Sequence, residues 1–155
     1  MAETNPTEPT FKINQIYIRD LSFEAPNSPR IFTREYKLQF DQACEVAQKG
    51  LDVKNGIFQS QIKWTVTAKT EDGEIAYVAE CHQAGIFTLK GYDDETLTEM
   101  VKKACPQVLF PYLREAIGQM IVKGGFPAFY LPAVSIAQLY EDNLVISDSE
   151  SGATS

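Results

Sequence analysis

The sequence predicts an α+β fold: a four-stranded antiparallel sheet followed by one long helix and one short C-terminal helix. Three observations predict it. Up to His82 apolar residues recur at every second position, as half-buried strands require. After Gly91 they recur at helical spacing, and Ser135 opens a second, shorter helical stretch.

In chain order, Phe11 to Leu21 is rich in β-formers, its alternation blurred by Ile16 and Ile18. Next, Tyr36, Leu38, Phe40, Gln42, Cys44 and Val46 alternate with Lys37, Gln39, Asp41, Ala43 and Glu45. The clearest strand sets Phe58, Ser60, Ile62, Trp64, Val66 and Ala68 against Gln59, Gln61, Lys63, Thr65, Thr67 and Lys69. In the last, Ile75, Tyr77, Ala79 and Cys81 oppose Ala76, Val78, Glu80 and His82, and Glu71-Asp72-Gly73 before it is a hairpin turn. Such a sheet has one polar face, where solvent or a partner should sit.

Asp93-Asp94-Glu95 supplies a helix N-cap and acidic first turn, and Lys123-Gly124-Gly125 a basic last turn and a C′ glycine. Between them apolar residues fall in pairs: Met100/Val101, Ala104/Cys105, Val108/Leu109, Tyr112/Leu113, Ala116/Ile117 and Met120/Ile121. Pairs four residues apart drift by about 40° each on an ideal helix. Two outcomes are open. Pro106 and Pro111 kink the helix and absorb part of the drift, or its two halves bury different faces, one on the sheet and one against another subunit. A stripe this wide on a small domain implies an oligomer. The short helix fits Ser135 to Asn143, with Ser135 as N-cap.

At 155 residues the chain fits one domain and buries a core without disulfide or metal. Residues 1–9 and 147–155 are polar and hold almost nothing that joins a core. The folded unit is therefore expected at 10–146, between two disordered segments. Fourteen Lys and Arg against 21 Asp and Glu give −7, which disfavours nucleic acid and anionic lipid as partners. The acidic N-terminus is unlike a secretory signal, and no apolar run approaches the roughly 18 residues of a membrane helix. Cys44, Cys81 and Cys105, odd in number and far apart, suggest reduced thiols and a cytoplasmic protein.

The residues needed for an active site are mostly absent, so no enzyme is expected. His82, the single histidine, follows Cys81 directly, and neighbours in a strand point to opposite faces. No C-x-x-C spacing supports zinc, and there is no phosphate-cradling glycine loop, G-x-S-x-G or H-E-x-x-H. No cofactor or metal is expected. What stands out is aromatic residues in loops: Phe23, Phe32 and Tyr36 among Pro26, Asn27, Ser28 and Pro29, and Phe126, Phe129 and Tyr130 after Gly125. Either these pin the loops down as satellite cores, or they line a hydrophobic groove for a polypeptide or small apolar ligand.

The segment Asp20-Leu21-Ser22-Phe23-Glu24-Ala25-Pro26-Asn27-Ser28-Pro29 resembles the most characteristic motif of the SecB family, tetrameric protein-export chaperones of Gram-negative bacteria. Trp64-Thr65-Val66-Thr67-Ala68, Gln83-Ala84-Gly85-Ile86-Phe87, Cys105-Pro106-Gln107-Val108-Leu109-Phe110-Pro111-Tyr112-Leu113-Arg114-Glu115 and Gly124-Gly125-Phe126-Pro127 follow in family order. The resemblance implies an ATP-independent holdase that assembles as a homotetramer, a dimer of dimers, binds unfolded precursor polypeptides and delivers them to the export ATPase SecA. It also implies SecA contacts at Asp20, Glu24, Val78 and Glu80, and an influence of Cys81 and Gln83 on tetramer assembly. Met100, on the wide helical stripe, is a further interface candidate. Phe23, Ile31, Phe32, Tyr36, Leu38, Phe40, Tyr140 and Leu144 are the expected client-groove residues. An apolar-ligand carrier or small enzyme on the same scaffold, and a chaperone serving a toxin–antitoxin pair, are the alternatives.

Overall fold

In the computed structural model, which describes residues 8 to 149, register turns the alternation into two distinct faces. The strands are β1 (Thr10–Glu24), β2 (Leu38–Asp52), β3 (Ile57–Thr70) and β4 (Ile75–Lys90), paired antiparallel in the order β1-β4-β3-β2. Even positions of β3 and odd positions of β4 carry the buried side chains Ile62, Trp64, Val66, Tyr77, Ala79, Cys81 and Phe87. Strand β1 bulges between Ile13 and Gln15 and again between Ile18 and Asp20. Each bulge shifts the alternation by one residue, so Phe11, Ile13, Ile16, Ile18, Leu21 and Phe23 all share that face, opposite Leu89, Phe87, Gly85, Gln83, Cys81 and Ala79. This accounts for the blurred pattern around Ile16 and Ile18.

A fifth strand, β5 (Val145–Ser149), runs parallel to β2 along Cys44–Gln48. It corrects the expectation of an unstructured tail from residue 147, since Ser147, Asp148 and Ser149 pair with Val46, Ala47 and Gln48. Serine and aspartate are poor strand formers; the ladder offered by the otherwise open edge of β2 recruits them. Residues 1–7 and 150–155, expected to be disordered, lie outside the described residues.

The long helix is continuous in three parts: α1 (Asp94–Glu99), a π-turn (Met100–Ala104) and α2 (Cys105–Lys123). Asp93 opens it, its carboxylate accepting from Thr96 N–H at 2.7 Å. The π-turn, in which Cys105 N–H reaches back to Met100 O, lies directly ahead of Pro106. A proline ring clashes with the carbonyl four residues earlier and supplies no N–H, and a wider turn accommodates both defects. The wider turn also takes up drift in the four-residue spacing. Most pairs then divide, although Ala116 and Ile117 are both buried. Val101, Cys105, Leu109, Leu113, Ile117 and Ile121 are buried beneath the helix, whereas Met100, Ala104, Val108 and Tyr112 are half-buried or exposed.

Helix and sheet meet closely at two points. A Cβ at Gly85 would lie 2.9 Å from the Leu109 side chain, so the glycine lets α2 settle on β4. Phe110 packs on Trp64 with ring centres 5.5 Å apart. The helix ends in a Schellman turn: Gly125, at φ 92°, donates to Val122 O, and Phe126 N–H to Ile121 O. Helix α3 (Ile136–Glu141) follows, capped by the Ser135 hydroxyl accepting from Gln138 N–H at 3.3 Å. No helix of the described residues is long and apolar enough to cross a membrane.

Candidate functional site: an aromatic groove

Phe126 is the first residue the Schellman turn releases, and it becomes the hub of a cluster. Its ring lies 4.8 Å from Tyr77, 4.9 Å from Phe32, 6.2 Å from Tyr36 and 6.3 Å from Phe23. Phe23 stacks on Tyr77 at 5.5 Å and covers Gly124 so closely that a Cβ there would come within 2.2 Å of its ring. Tyr77 and Phe126 form a buried floor, while Phe32, at 44% exposure, forms an open rim. Desolvation, with Tyr36 nearby, pushes the Tyr77 phenol up to about 12, so it stays neutral. Ile31, expected to line the groove, has 0% exposure and instead anchors the loop from within, so it is corrected to a core residue.

That loop is tied to the β3–β4 hairpin by polar contacts. Asn27 Nδ2 donates to Ile75 O at 2.8 Å, and Arg30 and Arg34 both pair with Glu74. The hydrogen bond from Arg30, with help from Arg34, holds the Glu74 carboxyl below its ordinary value against partial desolvation. Beside the aromatic rim, Arg34, Glu35, Tyr36, Lys37 and Thr70 to Asp72 line an open recess of about 560 Å³.

Further along β2, Phe40 is 37% exposed and stacks on Phe129 with ring centres 4.2 Å apart, near the half-buried Leu38. Tyr140 and Leu144 sit apart from the Phe126 cluster, at the end of α3. The Tyr140 ring lies 5.9 Å from Lys103 Nζ, and Leu144 is 62% exposed. The expected groove residues thus fall into three stations, joined by the segment from Gly125 to Ser135. Sequence reasoning placed Phe126 and Phe129 among the loop aromatics of a satellite core or groove, but it read Tyr77 only as a strand residue and did not single out Phe126 as the hub. The glycine pair before Phe126 was the available signal, because the residue after a C′ glycine commonly packs back on the helix.

The open sheet face, opposite α2, carries the expected SecA-contact positions. Glu24 stands opposite Val78, Ser22 opposite Glu80 and Asp20 opposite His82, all directed to that face. Asp20 and Glu24 are exposed, and Asp20 accepts from Leu21 N–H at 2.9 Å. Of the three carboxylates at these positions, Glu80 is the one with a lysine beside it. Glu80 accepts from the Thr65 hydroxyl at 2.9 Å and is partly neutralised by Lys63 at 3.7 Å, with His82 Nε2 3.5 Å away.

Of the three assembly candidates, two are enclosed and one is not. Cys81 and Gln83 point toward α2 and are buried within their own chain; Gln83 Nε2 donates to Tyr17 O at 3.1 Å. Met100 is half-buried on the outer side of the helix. Burial pushes all three thiols up to about 12, with Glu45 adding to the effect at Cys44 and Asp20 at Cys81. Among the described residues no group of His, Cys, Asp and Glu is placed to hold a metal ion.

The family model for SecB, described as preprotein translocase subunit SecB, matches residues 4–146. The chain is 40% identical over 144 residues to the protein-export protein SecB of Hydrogenovibrio crunogenus, covering 93% of this chain and 94% of that one. It is equally 40% identical over 144 residues to the protein-export protein SecB of Azotobacter vinelandii, covering 93% and 87%. Among solved structures, the SecB-like chaperone Rv1957 of Mycobacterium tuberculosis, in complex with a peptide from the HigA1 antitoxin, superposes with a TM-score of 0.68. That match is 19% identical, covers 81% of this chain and 91% of the other, and is a likeness of fold. With its motifs in order and identity sustained over nearly the whole length, this chain belongs to the SecB family.

Proposed function

We infer that this protein is an ATP-independent holdase of the cytoplasm that captures unfolded precursors and passes them to the SecA motor for export across the inner membrane. The observation that carries the reading is a run of aromatic side chains: Phe32 half-exposed against the buried Phe126 and Tyr77, and Phe40 half-exposed on Phe129. Contact of this kind is non-directional and tolerates many client sequences. A long client occupies several weak stations at once, which add through effective concentration. Binding the unfolded state opposes folding by mass action and keeps a precursor competent for export, with no chemical step.

The working unit is a homotetramer. Support comes from the half-exposed row Met100, Ala104, Val108 and Tyr112 outside the helix and from Ile13, Ile18 and Leu21, exposed on β1. SecA docks on the open face around Asp20, Glu24, Val78 and Glu80, away from the groove. The test is whether the purified protein, without nucleotide, stops a slow-folding polypeptide from aggregating at equimolar tetramer. Undiminished aggregation overturns the reading. Light scattering gives the mass, and Met100→Asp should shift it from tetramer toward dimer, because a charge buried without a partner costs several kcal/mol.

A further inference from the structure

β5 is the exceptional pairing of this sheet. The other strands pair antiparallel, and β5 alone among the described residues runs parallel to its neighbour, covering five positions of the 15-residue β2. Parallel ladders are slightly weaker per residue, and Val-Ile-Ser-Asp-Ser offers only two good strand formers. Its tether, in contrast, is well made. Helix α3 ends in a Schellman turn, with Asn143 at φ 55°, Asn143 N–H on Tyr140 O at 3.1 Å and Leu144 N–H on Leu139 O at 2.9 Å. The turn delivers the chain onto β2 at the next residue. A weak strand is thus held at high local concentration.

On that side no described strand pairs with Leu38–Ala43, the part of β2 that carries the Phe40–Phe129 stack. The geometry points to one role for this edge: it receives extended apolar client polypeptide as an added strand, and Val145–Ser149 occupies part of it in cis until a client displaces it. This rests on the holdase reading above and says how that site is regulated. Ladder pairing uses client backbone, and the neighbouring rings take alternate side chains. At about 3.3 Å per residue, the free edge spans roughly 20 Å with β5 docked and roughly 36 Å, through Gln48, with β5 released. A client using the longer edge competes with β5, so its apparent Kd rises as the undocked fraction falls.

Two full-length variants test this. Ile146→Pro with Ser147→Pro removes a ladder donor whichever of the two faces β2. Gln48→Cys with Ser149→Cys, opposite each other in the pairing, pins β5 with a disulfide. The probe is fluorescein-labelled, reduced and carboxymethylated α-lactalbumin, a permanently unfolded polypeptide, titrated by anisotropy. The proline pair should bind three- to tenfold more tightly than wild type, and the oxidised cysteine pair at least threefold more weakly, with reductant restoring affinity. Amide exchange at Val145–Ser149 of wild type should quicken when the probe is bound. If the proline pair melts early, the disulfide and the exchange data decide. Equal affinities with unchanged exchange overturn the edge proposal and leave the holdase reading standing. No binding by wild type overturns both.

Discussion

The two faces of this sheet come from the same strands yet differ in what stabilises them. Toward the helix, Val46, Ile62, Val66 and Ala79 are closed off from water, and their contribution depends on volume and fit. On the open face, Lys63 lies 3.6 Å from Glu45 and 3.7 Å from Glu80, Lys69 lies 3.3 Å from Asp41, and Gln59 donates to Tyr17 at 2.7 Å. Those contacts are solvated, screened by salt and individually weak. One face therefore maintains the fold, while the other is free to change partners.

Neighbouring residues give the sharpest test of that contrast. Cys81→Asp places a carboxylate under the helix with no cation beside it and should cost several kcal/mol, enough to unfold much of the protein in a urea titration. Its neighbour Glu80→Gln should shift stability by only about 0.5 kcal/mol. A folded Cys81→Asp protein would mean that the two faces are less distinct than their burial implies.

A smaller effect is expected in the groove. Phe23→Ala with Tyr140→Ala removes one ring from each end station and should weaken client capture at least tenfold, or about 1.4 kcal/mol, with the mass in light scattering unchanged. If capture is unchanged, the loop aromatics serve only as satellite cores. On the open face, Asp20→Lys with Glu24→Lys should abolish SecA binding in calorimetry while aggregation suppression persists. This pair is cleaner than reversal at Glu80, which would set a second cation beside Lys63. Raised salt should weaken the SecA contact but not client capture.

The smallest effect concerns pH. Glu74 is held below its ordinary value by Arg30 and Arg34, so its folded-state pKa is depressed. Its contribution is complete above the ordinary glutamate range and is lost as pH falls through the lower folded value. Amide protection factors in residues 27–34 should therefore hold steady while the pH stays above the ordinary glutamate range and fall only below it.

The strands, both helix caps and the C′ glycine were legible because each is written in a local pattern: period two, a carboxylate before an acidic turn, a glycine pair after a lysine. The π-turn left its trace in the four-residue spacing, but spacing alone did not distinguish a widened turn from a proline kink. Ile31 was misplaced because an isoleucine in the loop just after Pro26 and Pro29 resembles a surface contact, and only its tertiary setting shows it enclosed. Cys81 and Gln83 follow from parity. Both share the odd face of β4 with Tyr77 and so turn inward, whatever their effect on assembly. β5 was not legible because its last three residues have no strand propensity of their own, and its pairing belongs to the edge of β2.

The three thiols make the molecule a clock. Burial keeps all three thiols protonated at pH 7, so an alkylating reagent reacts appreciably only when the surrounding structure opens. Each thiol times a different part: Cys44 the β2 edge beside β5, Cys81 the strand between β1 and β3, and Cys105 the helix just past its π-turn. Cys44, at 4% exposure against 0% for the others, should be labelled first. The order of labelling would then give the order in which the fold loosens, read by mass spectrometry without adding any probe to the native sequence.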